Sequence, residues 1–571
     1  MKWRVRQAKN RRMLASFTLT GAMPSIALLA PAALLLASAG ALQVIRGRAN
    51  IDRIVLGVGS AAAIVVVIAL WVPVRSSQEL NLGQLGSGTP FDLRLDAVGF
   101  AFTLMILVPA AILLTLQPRP SQEATVAMLA LAAAVLTVEA GGVLLTAIAG
   151  GAAATLVVIQ LDVEDLKAPR PPWGLLLAAW LALSWAGAIL QVRGGTAVYA
   201  AVPVSTLTVA VFVLIAAAAV IASGLFPWRG WASQLWGRPG LSAAGIAVAT
   251  LYPLGFYLLV RGYEIGDGRY PAFSMNAILA ALGVLVAFGA AARSQAAATR
   301  REYLGEVIPG LGGFALIGIS LGTPLGLVAG LVTLAVAAVL AACLPLLPDR
   351  AGTASLVAVV AAAGLPPGLA FGARVIGLEA TFEAGNLLGL IGIAGAATWI
   401  VSLIAAARAI GLPAGRGHPV AETAPRVAMG LAASIVIAGP AIGVLIASLA
   451  LPAQGEVMPT PAGAPIGGLA SVLSVSTVLP AVALFTPVLV LAVAAYVAAG
   501  PVVVHPEARP ALFALPATLL FGRVRDRLRR VAVPASYRSL VDLRALEAAA
   551  TGGGPLLWLA ALIALAFAVS R

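Results

Sequence analysis

The chain has 571 residues, of which 61% are hydrophobic and only 10% are charged, and its 36 Lys and Arg outnumber its 22 Asp and Glu. Apolar runs long enough to cross a bilayer recur along the whole chain, which excludes a soluble protein and predicts an all-α polytopic membrane protein. In such a protein a formal net charge of +14 reflects cytoplasmic loops that face anionic lipid headgroups, so we expect no nucleic-acid partner.

A window of roughly 20 residues predicts about sixteen membrane spans. Their apolar cores begin at Leu14, Ile54, Ala97, Thr125, Val143, Gly174, Val198, Leu241, Phe273, Val307, Leu325, Thr353, Leu387, Ala428, Leu469 and Pro555. With the N-terminus placed outside, most loop arginines fall on the cytoplasmic side, as the positive-inside rule requires. The basic tail MKWRVRQAKNRR opposes this placement, because the same rule would keep it in the cytoplasm. Three explanations stay open: the first helix is inverted, the tail contains extra structure, or the protein starts at Met13 or Met23.

The most informative element lies in residues 223–261. An apolar helix ends at Gly224, a Pro/Trp/Arg-rich break follows, and a second apolar helix ends at Arg261. A break of this kind exposes backbone groups that lipid cannot satisfy, so it persists where it lines a cavity or packs against protein. A proton path through hydrocarbon also needs ionisable side chains, and the helical parts of this stretch have none.

The last long polar segment, Pro506–Gly554, contains FGRVRDRLRR beside apolar residues. This pattern favours a basic amphipathic helix on the membrane surface over a solvated loop. Elsewhere, the lone Cys343 and the two histidines, His418 and His505, lie far apart. Their spacing predicts no metal or haem site, and we expect no cofactor and no catalytic site in this chain.

Several segments resemble, in order, the antiporter-like membrane subunits of respiratory complex I (subunits L, M and N), membrane-bound hydrogenases and multisubunit cation/proton antiporters. SGLFPWRGWASQL resembles their Phe-Pro-x-His-x-Trp-Leu-Pro loop, and GLSAAGIAVATLYPLGFYLLVR resembles the helix after it. Gly364–Ala380 resembles the Gly-Leu-Pro-Pro-x-x-Gly-Phe-x-x-Lys motif, with Ala370 for its second Gly and Arg374 for its Lys. Asp92–Ile106 resembles the opening of the third helix of these subunits, and EVIPGLGGFALIGISLGTPLG resembles a later helix. The basic segment resembles the lateral helix of L-type subunits.

This resemblance implies about 14–16 transmembrane helices that include two inverted five-helix repeats with broken helices, then a lateral amphipathic segment and an anchor helix. It also implies a multi-pass protein of a bacterial inner membrane whose partners are other membrane subunits. The expected parts are a basic tail (1–22), N-terminal helices (23–120), the two repeats (121–262 and 263–426), C-terminal helices (427–504), the basic surface segment (505–554) and the last helix (555–571).

Such subunits are thought to pass protons through buried Lys, Glu and His, and most of those positions differ here. The position of the lysine before the loop proline is Ala222, and that of a lysine in the next helix is Pro253. The loop histidine is Arg229, and the glutamate of the fifth helix falls near Ala149 or Gly150. The His/Lys pair expected before Cys343 is replaced by AVAAVLAAC. Alanine and proline side chains neither donate nor accept protons, so the relay is predicted to be largely lost.

Four residues remain as a candidate ion path: Glu139, Arg229, Arg374 and Glu379. Glu139 lies between two apolar runs, where a loop acid at the membrane surface is favoured over a buried relay group. Arg374 lies inside a helix or reaches the surface, and Glu379 or Glu383 could pair with it or form an interfacial charge cluster. Arg229 with its neighbouring tryptophans is typical of an interfacial belt.

Three hypotheses follow. The first is a membrane subunit of a complex I-related assembly whose proton relay has been lost or rerouted. The second is an active proton or cation translocator of the same fold, and the third is an unrelated multi-span transporter.

Overall fold

The computed structural model describes residues 26–45, 49–85, 89–117, 121–164, 173–225, 242–347, 352–415, 422–458 and 486–493. Within these ranges the chain is helical apart from one β-hairpin and the connecting turns, which confirms the all-α membrane fold class. The first helices are α1 Ala30–Ile45, α2 Ala49–Trp71, α3 Ala97–Leu116, α4 Ser121–Glu139, α5 Val143–Glu164, α6 Trp173–Gly194, α7 Val209–Ala222 and α8 Ser242–Ile265. The later helices are α9 Phe273–Ser294, α10 Arg300–Ser320, α11 Pro324–Cys343, α12 Gly352–Ala363, α13 Leu369–Glu383, α14 Asn386–Ile410, α15 Ala424–Ile437, α16 Ile442–Leu445 and α17 Leu451–Val457.

The helix count of the described ranges agrees with a many-span protein. Eleven helical stretches there are long and apolar enough to cross a membrane, and a bent pair, Ala424–Ile437 with Ile442–Val457, makes up to 12. Helices α3, α5 and α9 begin at the predicted residues Ala97, Val143 and Phe273. The predicted starts at Leu14, Leu469 and Pro555, and the basic segment 505–554, lie outside the described residues.

Most other predicted starts lie within seven residues of the observed ones, but one span begins much later than predicted. The sequence predicts a start at Val198, but α7 begins only at Val209, after a short 3₁₀ turn at Val204–Thr206. Pro203 precedes that turn, and the Thr208 hydroxyl accepts the N–H of Val211 as the N-cap of the helix. Apolar composition alone does not reveal this stop, because residues 198–208 are as apolar as a helix core and only the proline and the cap mark the boundary.

Helices α7 and α12 are apolar but too short to span a bilayer by themselves. Helix α7 has 14 residues and α12 has 12, whereas a span needs about 20. Each is followed by a glycine with positive φ, Gly224 at 67° and Gly364 at 69°. After α7 the N–H groups of Gly224 and Leu225 bond back to the carbonyls of Ile221 and Val220, which closes the helix end. Both helices therefore have the form of half-spans that stop inside the protein.

The packing core lies around α8, α10 and α11, which are almost entirely enclosed by other helices, whereas α1, α2 and α9 expose much of their surface. Lipid tails are as apolar as leucine, so helix association here depends on close approach of small residues. At Gly283 of α9, for example, an added Cβ would lie 2.7 Å from the carbonyl oxygen of Gly313 in α10. The abundant glycine and alanine thus allow backbone-to-backbone contact.

The hairpin joins α2 to α3 through β1 (Gln78–Leu85) and β2 (Thr89–Leu95), which pair antiparallel from Gln78↔Leu95 to Leu85↔Thr89 with a bulge between Asn81 and Gln84. It marks one end of the helix bundle, which we call the hairpin end. The short loop between α4 and α5 also lies there, because Leu93 of β2 bridges to Ala140.

Candidate functional site

Glu139, the last residue of α4, is fully buried at the hairpin end. Its exposed fraction is 0%, and neither carboxyl oxygen has a hydrogen-bond partner among the residues that the structure describes. The sequence favoured a surface loop acid at this position; the structure instead places the residue at a helix end that other parts of the chain cover. A buried carboxyl without a partner is far less costly as the neutral acid than as the carboxylate. Glu139 therefore stays a candidate for carrying a proton.

The loop after Glu139 is held on both sides. The N–H of Gly141 bonds to the carbonyl of Asp92 in β2 at 2.8 Å, and the N–H of Tyr199 bonds to the carbonyl of Gly141 at 3.0 Å. An added Cβ at Gly142 would lie 2.9 Å from the carbonyl oxygen of Ala197. The two glycines permit this three-layer arrangement, which encloses the end of α4.

Five charged residues meet beside this loop and form what we call the hairpin-end cluster: Arg94, Asp96, Arg261, Glu264 and Glu456. Arg261 binds Asp96 with both ends of its guanidinium, at 2.6 and 2.9 Å, and also binds Glu264 at 2.6 Å. Arg94 binds Glu264, Glu456 and Asp96. The cluster thus ties the start of α3 and strand β2 to the end of α8 and to α17.

Charge pairing inside the cluster decides its ionisation. Burial by itself would raise the pKa of Asp96, but Arg261 and Arg94 outweigh it and hold that pKa below its ordinary value. Burial would likewise lower the pKa of Arg94, but Asp96 and Glu264 raise it. Asp96 also accepts the N–H of Gly99 and so caps α3. Asp96 and Arg94 are therefore both charged at neutral pH, whereas burial raises the pKa of Glu456 at the edge of the cluster.

Tyr257 connects the cluster to the end of α4. Its hydroxyl donates to the carbonyl of Val138 at 3.0 Å and accepts the Nε–H of Arg261 at 3.0 Å. The guanidinium of Arg261 lies over the rings of Tyr199 and Tyr257, at 5.2 and 5.0 Å from their centroids. The backbone beside Glu139 is thus fixed by a chain of contacts that reaches Asp96. Sequence reasoning used Tyr257 and Arg261 only as family markers, because their partners lie more than a hundred positions away in the chain.

In the first half of the chain, an aromatic ring packs against the position of the expected relay glutamate. Gly150 lies in α5, and an added Cβ there would be 2.1 Å from Cζ3 of Trp180 in α6. The neighbouring Ala149 is buried as well. Any side chain at Gly150 would have to displace the indole, so the packing of α5 on α6 requires a glycine at this position.

The two lysine positions are also closed by packing. Ala222 is fully buried at the end of α7, and Pro253 lies inside α8. Two residues after the proline, an added Cβ at Gly255 would lie 2.3 Å from the carbonyl oxygen of Ala219 and 2.6 Å from Cβ of Ser223. Helices α7 and α8 thus touch backbone to backbone at Gly255, close in sequence to the second of these positions.

Four hydroxyl groups in the apolar segments could in principle hold a file of water molecules, but they bond the backbone of their own segments. Thr206 and Ser320 donate to the carbonyls of Pro203 and Leu316. Thr208 and Thr323 accept from N–H groups as caps of α7 and α11. These hydroxyls therefore serve the helices that carry them.

In the second half, Arg374 is buried inside the protein, with 3% exposure. Its Nη2 donates to the carbonyl of Ala362 at 3.0 Å and its Nη1 donates to that of Ala363, both at the end of α12. Its Cζ lies 5.2 Å from the ring centroid of Phe314 and 5.4 Å from that of Trp399. No carboxylate among the described residues pairs with it.

Arg374 thereby caps the half-helix α12 across the Gly-Leu-Pro-Pro break. The last carbonyls of a helix lack intrahelical donors, and a guanidinium supplies both donors and a charge that suits the helix dipole. Two observations show that position 364 needs a glycine. Its φ is positive, and an added Cβ would lie 2.6 Å from Nη1 of Arg374. An arginine does not release its proton in proteins, so this position cannot relay one.

The remaining sequence candidates are separate from these sites. Glu379 and Glu383 are exposed and do not pair with Arg374, so the suggested pairing is wrong. Arg229 lies outside the described residues. Within the described ranges, no group of three or more His, Cys, Asp and Glu side chains could hold a metal ion.

Comparison with solved structures identifies the fold. A chain of the Mrp complex from Dietzia sp. DQ12-45-1b matches with a TM-score of 0.69 at 20% identity, over 92% of this chain and 62% of that one. A chain of the membrane-bound sulfane sulfur reductase, an archaeal respiratory membrane complex, matches with a TM-score of 0.64 at 20% identity, over 81% of this chain and 84% of that one. A chain of respiratory complex I from Thermus thermophilus matches with a TM-score of 0.60 at 18% identity, over 78% of this chain and 100% of that one.

The chain thus covers less than two thirds of the length of the Mrp chain that it matches. No family model and no curated protein matches its sequence. The resemblance to antiporter-like membrane subunits is confirmed in the fold, since the structural neighbours are chains of multisubunit membrane complexes of these kinds.

Proposed function

We propose that this chain is an integral membrane subunit of a complex I-related or Mrp-type assembly in a bacterial inner membrane, where it completes the membrane arm without a full proton relay of its own. The fold supports the general kind of protein. The packing of Gly150 against Trp180 carries the finer proposal, because an ionisable group at the expected relay position would require the indole to move.

Other positions in both halves of the molecule support the same conclusion. Ala222 and Pro253 offer no proton-carrying group, and Arg374 is a permanent cation bound to helix carbonyls. The neighbours of the chain in the assembly are other membrane subunits, and its basic loops face anionic headgroups.

A second function is favoured by one observation, the buried and unpartnered carboxyl of Glu139. An ionisable group without a partner inside a membrane protein is costly, which makes it a functional candidate. In this alternative the chain is an active translocator that loads a proton or cation at the hairpin end.

Purification from the native host tests the subunit role. A tagged chain, solubilised in mild detergent, is expected to elute with other membrane proteins as one large species. A stable, monodisperse monomer would count against any subunit role.

Proton flux in the reconstituted assembly separates the two functions. Under the structural proposal Glu139→Gln leaves the flux of the assembly unchanged, as does the exposed control Glu379→Gln. Loss of flux in Glu139→Gln alone, with assembly intact, would show that this chain translocates.

A further inference from the structure

The guanidinium of Arg374 has more N–H donors than the described residues around it provide acceptors for. A guanidinium carries five N–H groups, and two of those in Arg374 have acceptors, the carbonyls of Ala362 and Ala363. Its Nε is buried with no partner. Leaving buried donors unpaired costs about 1–3 kcal/mol for each group, more when the group is charged. The site therefore favours an occupant that accepts hydrogen bonds.

Space for such an occupant lies beside the side chain. One cavity, with about 20 Å³ of room for a water-sized sphere, is lined by Arg374, Thr333, Thr381 and apolar residues. A smaller one of about 10 Å³ is lined by Arg374, Ser402 and apolar residues. A single water-sized particle needs about 10–15 Å³. The larger cavity thus admits one particle of atomic size and is too small for a carboxylate or a phosphate.

The charge of Arg374 selects the kind of particle. The end of α12 supplies at most the equivalent of roughly −0.5 charge to the guanidinium, and no carboxylate of the described residues pairs with it. The rings of Phe314 and Trp399 offset part of the remaining charge. The rest stays uncompensated in an apolar interior, where it is costly. A monovalent anion would neutralise it and accept the free N–H groups, whereas a water molecule would do only the second.

We propose that Arg374, with the cavity between α10, α11, α13 and α14, forms a binding site for a single halide ion. The site is independent of the proposed subunit role, because it rests on the side chain, its free donors and the adjoining space. In the assembly the anion would keep the half-helix α12 and its arginine in place.

Anomalous diffraction from the protein in sodium bromide tests the site directly. A peak is expected within ion-pairing distance of the Arg374 guanidinium. Density at this position that carries no bromide signal would identify water and overturn the proposal, and so would the absence of any density there.

Thermal unfolding in detergent gives a second measurement. Replacing gluconate by chloride is expected to raise the Tm of the purified protein by about 2 °C or more, as a ligand that binds the native state does. The shift should vanish in Arg374→Gln. It should persist in Arg53→Gln, a half-buried arginine that also donates to a helix carbonyl, that of Thr115. A chloride shift of equal size in both variants would refute a site at Arg374.

A cavity-filling variant tests the site without changing Arg374, in case Arg374→Gln does not fold. Gly377 and Gly395 both line the larger cavity, and an added Cβ meets only Ala329 at 3.8 Å or Leu378 at 3.6 Å, which is ordinary contact. The double variant Gly377→Ala/Gly395→Ala should fold, because alanine also favours helices. We expect it to lose the chloride shift and the bromide peak; retention of both would exclude this cavity as the site.

Discussion

Arg261 and Arg374 are both buried arginines, but the protein compensates their charges in opposite ways. Arg261 is bound by the carboxylates of Asp96 and Glu264. Arg374 is held by two helix carbonyls and two aromatic faces, without a carboxylate among the described residues. The first arginine joins distant segments, whereas the second closes one break in the chain.

This difference in compensation determines how much stability the protein loses when each arginine is removed. Removing one partner of a buried ion pair leaves the other charge uncompensated, which is the most costly outcome. Removing a cation that has no counter-charge leaves only carbonyls unbonded, and it also relieves the cost of burying the cation. The two sites should therefore respond unequally to the same substitution.

The largest effect is expected for Arg261→Met. The variant leaves the carboxylates of Asp96, Glu264 and Glu456 sharing the single guanidinium of Arg94, so the free energy of unfolding should fall by about 3–5 kcal/mol. The Tm in detergent and the yield of monodisperse protein measure it. The exposed Arg193→Met is the control and should be close to the wild type. A small loss in Arg261→Met would mean that the ion pairs contribute little to the fold.

Arg374→Met should cost less, about 1–3 kcal/mol, because it removes the side-chain donor of the Ala362 carbonyl and leaves that of Ala363 with the Trp399 indole at 3.4 Å, but it leaves no unpaired charge. The same unfolding measurement, in chloride-free buffer, compares it with Arg261→Met. A cost equal to or above that of Arg261→Met would contradict the comparison and show that the α12 cap is the more important contact. Arg374→Lys should fall between wild type and Arg374→Met, since an ammonium keeps the charge but not the planar fork.

The sequence predicts some of these features well. Helix α3 begins where the apolar run begins, because Asp96 is an N-cap directly before it. The Gly-Leu-Pro-Pro motif places Arg374 beside a helix break, and the structure confirms that closeness. Both are local features, decided by residues a few positions apart.

Other features depend on contacts between distant segments, which composition and motif do not contain. Glu139 reads as a loop acid, and only the approach of β2 and the loop at 197–199 buries it. Gly150 shows that a glutamate is missing, but not that Trp180 packs against its place. Arg261 and Asp96 are 165 positions apart, so their pairing could not be predicted from spacing.

A pH titration sharpens the description of the Arg261 site. Because the pKa of Asp96 is lowered in the folded protein, its contribution to stability is fully present above the ordinary aspartate range and is lost as the pH falls through the folded pKa. The Tm difference between wild type and Asp96→Asn should be constant down to about pH 5 and shrink below about pH 4. A difference that already shrinks between pH 7 and 5 would contradict the lowered pKa.

Asp92 provides a control whose pKa shift has the opposite sign to that of Asp96. Burial raises the pKa of Asp92, and its Oδ1 has no partner. Its ionised form therefore destabilises the folded protein as the pH rises above the ordinary aspartate range. Asp92→Asn should raise the Tm at neutral pH and have less effect in acid. An equal effect at both pH values would show that ionisation is not the cause.

The smallest effect is expected at the rim of the hairpin-end cluster, for Glu79→Gln. Glu79 approaches Arg94 at 3.8 Å, but its side chain is 66% exposed, and exposed pairs contribute about 0–1 kcal/mol. The Tm should therefore change little, and the change should disappear in high salt. Glu456→Gln is the matched comparison, since Glu456 binds Arg94 at 2.6 Å and is only 27% exposed. If Glu79→Gln were as costly as Glu456→Gln, the burial of each carboxylate would not be what sets its contribution to the cluster.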